Sequence, residues 1–433
     1  MKRFGGVGLT PVVVLFSLKI LDEMNGTAFS VLTPAIKSDF GLSITGVTSL
    51  FSAGAAVGFF GGLWIGWLAD RRSRLAIALT GAALCAGFTL LTGLASSIAL
   101  LAVARLGAGL GKTVNDPTHR SLLSDYYAPD DRGKVLSLYL SAATVAGILV
   151  PLLAGGLGYV FGWRNVFVIM AIPLVVCVVL AARLLREPIR GRFERIAAGG
   201  SGEVLDVEER PVPLREAWRT MRRIPTLRTL LHCVPFVTVS FAGLLTLLSI
   251  QYNERYGFNE AQLGFLISGA SVANVFGLAL IGKWVGQDPR RVYTSFRLAI
   301  PPLALGYLVM GFAPNVGINL VGVLIIMVFV APLLIGPVLV VALVTPPALR
   351  ASGFAIATFY ELPAFFIIVG IGALADAAGF AVAFASMIVP LAIGAVIFHR
   401  GSKTVLADMA AMQQATLERS GQRMVEQQQE PAS

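Results

Sequence analysis

The sequence predicts an all-α membrane protein whose twelve transmembrane helices form two pseudo-symmetric six-helix bundles. Three observations carry that prediction. Across 433 residues the chain is 56% hydrophobic and only 13% charged, with a mean hydropathy of +0.78, too little charge for a water-facing surface of this size. A bilayer crossing takes about 20 apolar residues, and twelve such stretches are centred near residues 23, 57, 86, 112, 148, 175, 240, 272, 302, 331, 363 and 389. The one long polar break, residues 187–225, follows the sixth stretch. The expected divisions are an N-terminal bundle over 1–186, a cytoplasmic linker over 187–225, a C-terminal bundle over 226–400 and a cytoplasmic tail over 401–433.

An even number of crossings puts both termini on one side, and the basic residues indicate which. Lys2, Arg3, Arg71, Arg72, Arg74, Arg132, Lys134, Arg290, Arg291, Arg350, Arg400 and Lys403 fall in alternate connections, whereas the intervening ones hold only Lys37, Arg164 and Arg255. By the positive-inside rule the termini and linker are cytoplasmic, in a multi-pass protein of the inner or plasma membrane. The same asymmetry accounts for the net charge of +10. Anionic lipid headgroups are therefore the better partner for the basic linker, and nucleic-acid binding is the weaker reading.

Span 1 starts after Lys2 and Arg3, but Lys19, Asp22 and Glu23 interrupt its apolar run, so it reads as a retained helix rather than a signal peptide. Span 2 repeats glycine every fourth residue at Gly54, Gly58, Gly62 and Gly66, a bare face on which another helix can pack backbone to backbone. Span 4 carries Arg105, Gly109, Lys112, Asp116 and His119 at steps of four, three, four and three, one stripe that cannot face lipid. Span 5 carries Gly147, Pro151 and Gly155. In the linker, Leu214, Ala217, Trp218 and Met221 alternate with Arg215, Arg219, Arg222 and Arg223 as a short amphipathic helix, lying either on the inner leaflet or in solvent. Sliding the sequence by 216 residues matches seven of the 26 positions from 41 to 66, Gly41 to Gly257 and Gly66 to Gly282 among them, which aligns span 2 with span 8. In span 11, Tyr360 and Glu361 precede Pro363, where proline frees a carbonyl and bends the helix.

A charge at the centre of a spanning helix costs about 2.5 to 3.5 kcal/mol on insertion scales, so each one is a functional candidate. Asp22, Glu23 and Asn25 on span 1, Arg105, Lys112, Asp116 and His119 on span 4, and Tyr360 and Glu361 on span 11 make the candidate substrate and proton-coupling set. Lys19 can neutralise one acid of its own helix at i+3 or i+4, leaving the other for Arg105 or Lys112. Such a buried pair serves either as fixed scaffold or as a switch. Glu361 has no basic neighbour in its own helix and is the best single candidate for a proton-titrating group.

Other chemistries lack their residues. Cys85, Cys177 and Cys233 are scattered, and the three histidines, His119, His232 and His399, lie far apart, so neither disulfides, nor a metal, nor another cofactor is implied. Five residues separate His119 from Asp125, against the four of an acyltransferase His-x4-Asp pattern, and no nucleophile elbow or phosphate loop occurs, so no enzyme is expected.

The loop Gly66-Trp67-Leu68-Ala69-Asp70-Arg71-Arg72-Ser73-Arg74 resembles the signature between helices 2 and 3 of the major facilitator superfamily, with Ser73 in place of the usual second glycine. Arg105 with Gly109 and Gly111 resembles the family's arginine-plus-glycine pattern in helix 4, whose arginine is associated with proton coupling. Gly147, Pro151, Gly155 and Gly156 resemble the glycine-proline signature of its antiporters, though with three residues between Gly147 and Pro151. The stretch from Arg105 through Asp125, Arg132, Leu136-Ser137 and Gly155-Gly156 to Gly162-Trp163-Arg164 resembles the spinster-like subgroup, which moves lysophospholipids and related lipids. Two departures matter. Lys112 stands where that subgroup has a glutamate, and Asn25 stands where it has an aspartate nine residues before Pro34.

The resemblance implies a secondary active transporter, monomeric by the family's habit, with a site near the midplane and two bundles rocking about it. The cargo it implies is an amphiphilic, lysophospholipid-type molecule moved with protons. A broad-range drug exporter, suggested by Phe359, Phe365 and Phe366, a carrier of a small anionic metabolite drawn to Lys112, and a receptor or scaffold that has lost transport are the alternatives. Asp70, Arg71, Arg74 and Asp125 are the expected gating residues: Asp70 would cap the start of helix 11 near Arg350, while Arg74 pairs with an acid such as Asp125.

Overall fold

The computed structural model describes residues 8–69, 73–188, 214–285, 288–345, 350–412 and 414. Sixteen labelled helices run through them: α1 (Thr10–Phe40), α2 (Ile44–Ala69), α3 (Arg74–Gly93), α4 (Ile98–Tyr126), α5 (Pro129–Phe161), α6 (Trp163–Leu184), α7 (Leu214–Arg223), α8 (Pro225–Val239), α9 (Leu244–Tyr256), α10 (Glu260–Val285), α11 (Pro289–Phe312), α12 (Val316–Phe329), α13 (Ala331–Val344), α14 (Arg350–Phe359), α15 (Leu362–Ser386) and α16 (Ile388–Gly401). Eight helices or helix runs among the described residues are long and apolar enough to cross a membrane. One of them, Ile356–Gly401, is long enough for two crossings at 46 residues. The more polar α1 and α4, together with α2, make up the remaining crossings of the expected twelve.

Local chemistry sets the helix ends. Ser97 and Asn315 accept the Leu100 and Ile318 amides at the starts of α4 and α12. Gly41 closes α1 at φ 62°, a left-handed turn that glycine adopts without strain, and its amide reaches back to the Lys37 and Ser38 carbonyls.

Contacts gather the chain into two compact units. One comprises Met1–Glu209, Ala242–Val272 and Phe365–Phe380; the other comprises Arg210–Phe241, Ala273–Ala364 and Ala381–Ser433. This partition differs from the chain-order halves on either side of the linker, whose middle lies outside the described residues.

In the first unit α4 is sandwiched between α2 and α3, and α1 packs along α5 and α6. A Cβ on Gly54 would stand 3.0 Å from the Arg105 carbonyl, one on Gly109 would collide with the Gly54 carbonyl, and one on Gly111 would crowd Gly81 and Cys85 of α3. The glycines thus let three backbones meet. On α5, Gly155 and Pro151 lie against Gly264 of α10 in the same way, and Gly147 faces Ser271. Leu15, Leu18, Leu75, Leu122 and Tyr139 form part of the apolar core.

In the second unit α8 packs on α16, and α11 on α12, α13 and α16. Phe296 and Phe398 stack at 4.2 Å, with Tyr293 4.6 Å from Phe398. Several C-terminal spans are broken: at Ser240–Gly243 between α8 and α9, at Val330 between α12 and α13, at Tyr360–Glu361 between α14 and α15, and at Met387 between α15 and α16. Groups freed at such a break need new partners within the protein, and the Tyr307 hydroxyl donates to the Ser240 carbonyl.

In α7, Met221 is buried and Trp218 lies 6.1 Å from Phe359 and 5.7 Å from Tyr360, so these two apolar residues pack on protein rather than on a leaflet or in solvent. Its arginines 215, 219, 222 and 223 stay exposed. Of the phenylalanines suggested for a drug cavity, Phe366 is 72% exposed and Phe365 packs on Phe51 in the first unit, and Phe359 packs on α7 in the second.

Candidate functional site

Within the first unit, residues of α1, α3 and α4 form a buried polar cluster. Glu23 bridges two cations, Lys19 at 2.8 Å and Lys112 of α4 at 2.8 Å. The Lys19 side chain is almost fully buried, whereas that of Lys112 is 47% exposed. Asp22, one position earlier, is 2% exposed, and neither of its oxygens accepts a hydrogen bond of ordinary geometry from a described residue. The Cys85 thiol of α3 lies alongside it.

Arg105, also buried, has a neutral partner. Its guanidinium donates to Asn25 Oδ1, while Asn25 Nδ2 donates to Thr89 Oγ1 at 2.8 Å and Thr89 in turn donates to the Cys85 carbonyl at 2.7 Å. The guanidinium carbon lies 4.1 Å from the centre of the Phe29 ring, a cation–π contact. Arg105 Nε makes no hydrogen bond, and no carboxylate of a described residue pairs with this arginine. Seven residues, two helical turns, separate Arg105 from Lys112, so both lie on one side of α4. His119, further along the stripe, is fully buried against the Tyr139 hydroxyl at 3.1 Å.

A second cluster sits where α2 leads into α3. Arg74 lies 2.5 Å from Asp125 and donates to Ser121 at 2.6 Å. Glu187, just beyond α6, accepts from the Ser73 hydroxyl at 2.7 Å and from the Arg74 and Leu75 amides at 3.1 and 2.8 Å. Burial acts to raise the Glu187 pKa, but these hydrogen bonds and the Arg74 charge outweigh it and hold the carboxyl below the usual glutamate range. Nothing in the sequence pattern pointed to Glu187, because its main partners are backbone amides.

At the opposite end of α2, Asp376 of α15 accepts from the Ile44 and Thr45 amides and the Thr45 hydroxyl. Lys37 pairs with Glu254 at 2.7 Å, and Asp39 holds Arg164 and the Trp163 indole. Asp376 too was silent in the sequence. In the second unit Glu361 occupies the N-cap position of α15 without capping it and has no partner among the described residues; Tyr360 beside it meets Trp218 and the His232 ring. Asp70 and Arg71 lie outside the described residues, as do the side chain of Asp116 and the surroundings of Gly58, Gly62 and Gly66. No group of His, Cys, Asp and Glu suited to a metal occurs among the described residues.

The family model of the Major Facilitator Superfamily matches residues 15–369. The chain belongs to the major facilitator superfamily. A probable galactarate/D-glucarate transporter of Bacillus subtilis is 24% identical over 289 residues, 63% of each chain. A lincomycin resistance protein of Streptomyces lincolnensis is 34% identical over 178 residues, 40% of this chain and 36% of its own. The fold matches, with a TM-score of 0.74 and 21% identity over 93% of this chain and 98% of the other, the crystal structure of a bacterial homolog of the human lysosomal transporter Spinster in an inward-facing, unoccupied conformation. The Bacillus subtilis relative is named as a transporter, and the family is one of transporters, not enzymes. This chain spans less than two thirds of the length of the curated relatives it matches.

Proposed function

We propose that this chain is a proton-coupled secondary transporter that carries a small organic anion by alternating access. The observation that carries the reading is Arg105, a buried guanidinium with a free Nε–H and no carboxylate partner among the described residues, two turns from the half-exposed Lys112. A buried cation without a counter-ion is unfavourable, and a carboxylate or phosphate cargo supplies the missing charge in the geometry that guanidinium accepts best. Lys112 offers the accessible first contact, because a ligand oxygen can compete with Glu23 for its ammonium. The galactarate/D-glucarate transporter among the relatives is named for a cargo of this chemistry.

The coupled proton is assigned to Asp22, a sequestered carboxylate beside the cation cluster, with Glu361, a partly buried carboxyl at the α14–α15 break, as the second candidate. A lysophospholipid-type cargo is the second reading. Its phosphate carries the same charge, and the resemblance of the Arg105–Arg164 stretch to spinster-like proteins favours it.

The test is reconstitution in liposomes with an imposed pH gradient and four labelled probes: D-glucarate, 4-hydroxybenzoate, a lysophospholipid and a cationic dye. Gradient-driven movement of a carboxylate is expected, falling about 100-fold in Arg105→Ala, the scale of losing one charge-assisted contact worth about 3 kcal/mol. Lysophospholipid movement alone would replace the first reading with the second, and dye movement alone would make the protein a drug exporter. Asp22→Asn should abolish the response to the gradient while exchange of labelled for unlabelled cargo persists; if it does not and Glu361→Gln does, the proton site is on α15.

A further inference from the structure

The start of α2 has an unusual acceptor. A helix leaves its first amides without internal partners, and here the local residue Ser43 satisfies only Gly46, at 3.0 Å. The Ile44 and Thr45 amides donate instead to the two oxygens of Asp376, at 2.9 and 2.7 Å, and the Thr45 hydroxyl adds a third bond at 2.6 Å. Asp376 is more than 330 residues further along the chain. A carboxylate at this position is also favoured by the helix dipole.

The contact begins a seam. One turn along α2, Thr48 lies where a Cβ on Gly372 would collide with it, and a further turn on, Phe51 meets Phe365 with ring centres 6.4 Å apart. The partners descend along α15 as α2 ascends, from 45 with 376 through 48 with 372 to 51 with 365, so the two helices run antiparallel here. Beside it α1 meets α9 through Lys37–Glu254 at 2.7 Å and Ser30–Thr246 at 3.2 Å. The Lys37–Glu254 pair is partly exposed, so it contributes little. Asp376, with three donors and a helix terminus, is the stronger element.

We propose that Asp376 is a latch that holds the α1–α2 end of the protein shut, and that its release is required for the cargo site to open toward that side. The proposal rests on the alternating-access reading. Opening here would part Asp376 from three donors at once, so the residue sets the balance between the two facing states. Asparagine would keep one acceptor but turn an NH2 group toward the backbone amides.

The test introduces a cysteine at Ser30 after the native cysteines have been replaced by alanine, and measures its labelling by a membrane-impermeant thiol reagent applied to either face of proteoliposomes. In Asp376→Asn, labelling from the face that carries Lys37 and Glu254 should rise about tenfold and labelling from the other face should fall. Thr45→Val, which removes one bond of three, should give a smaller shift the same way, and Gly372→Ala, which pries the seam at Thr48, should mimic Asp376→Asn. Wild-type labelling that is left unchanged by whichever of the four probes the liposome assay shows to be carried would overturn alternating access itself. With wild-type labelling responsive to a cargo, unchanged labelling in a folded Asp376→Asn protein would overturn the latch.

Discussion

Asn25 is the residue on which the charge of the site turns. It stands where spinster-like proteins carry an aspartate, and it accepts from Arg105 while passing its own amide hydrogen to Thr89. The amide keeps the arginine in place without neutralising it. Asn25→Asp would put a carboxylate within bonding reach of the guanidinium, and an internal anion fixed in place outcompetes a dissolved one through its effective concentration. The expected result is a rise of about tenfold or more in the anion concentration giving half-maximal uptake, with thermal stability unchanged or increased; unaltered uptake would mean that Arg105 does not meet the cargo. The stripe through Arg105 and Lys112 and the acids of α1 could be read from the sequence, because charges in apolar helices stand out. Which acid pairs with which base could not, since Lys19 reaches both Asp22 and Glu23 and only the packing of α1 on α4 hands Glu23 to Lys112 as well.

Among elements, the break between α14 and α15 was legible because Pro363 cannot continue a hydrogen-bonded helix, and it falls at Tyr360–Glu361. The break at Val330 is followed by Pro332 in the same way, whereas no proline follows the break at Ser240–Gly243 so closely; the carbonyl freed at Ser240 is taken by Tyr307, a partner far along the chain. At the start of α3, Ser73 caps the helix by accepting the Ala76 amide, and Glu187, from beyond α6, covers the two amides that Ser73 leaves open. Glu187 is held below the ordinary glutamate range, with burial opposed and outweighed by hydrogen bonds from Ser73, Leu75 and Arg74. A carboxyl depressed by folding contributes stability that is fully present above its unfolded pKa and is lost as the pH falls through the folded value. Glu187→Gln should therefore lower the melting temperature at neutral pH by an amount equivalent to roughly 1 kcal/mol, and the gap between variant and wild type should close in acid, beneath the usual glutamate range. A gap independent of pH would show that Glu187 acts by packing alone.

At the scale of the whole molecule, composition and the spacing of apolar stretches carried the fold, since twelve crossings and a basic asymmetry leave few alternatives. The same reading placed one latch, Asp70 against the start of span 11, at the α2–α3 end and was blind to Asp376 at the α1–α2 end. The reason is physical: Asp70 sits in a loop motif rich in charge, whereas Asp376 is a single acid whose partners are mainly amides that carry no side-chain signature. If both act, the protein has a carboxylate and a helix N-terminus at each end of α2 and span 11, opposed in effect. Releasing Asp376 favours opening at its own end, and releasing Asp70 favours opening at the other. Two sites that share no partner would contribute nearly additively to one two-state balance. Asp70→Asn and Asp376→Asn should then shift the labelling of a cysteine at Ser30 in opposite directions between the two faces, by about tenfold each. The double variant should return close to the wild-type ratio while turning over faster between states, because both closed forms have lost stabilisation. Shifts in the same direction, or a double variant that retains the full shift of either single one, would mean that the two carboxylates do not bias a common equilibrium.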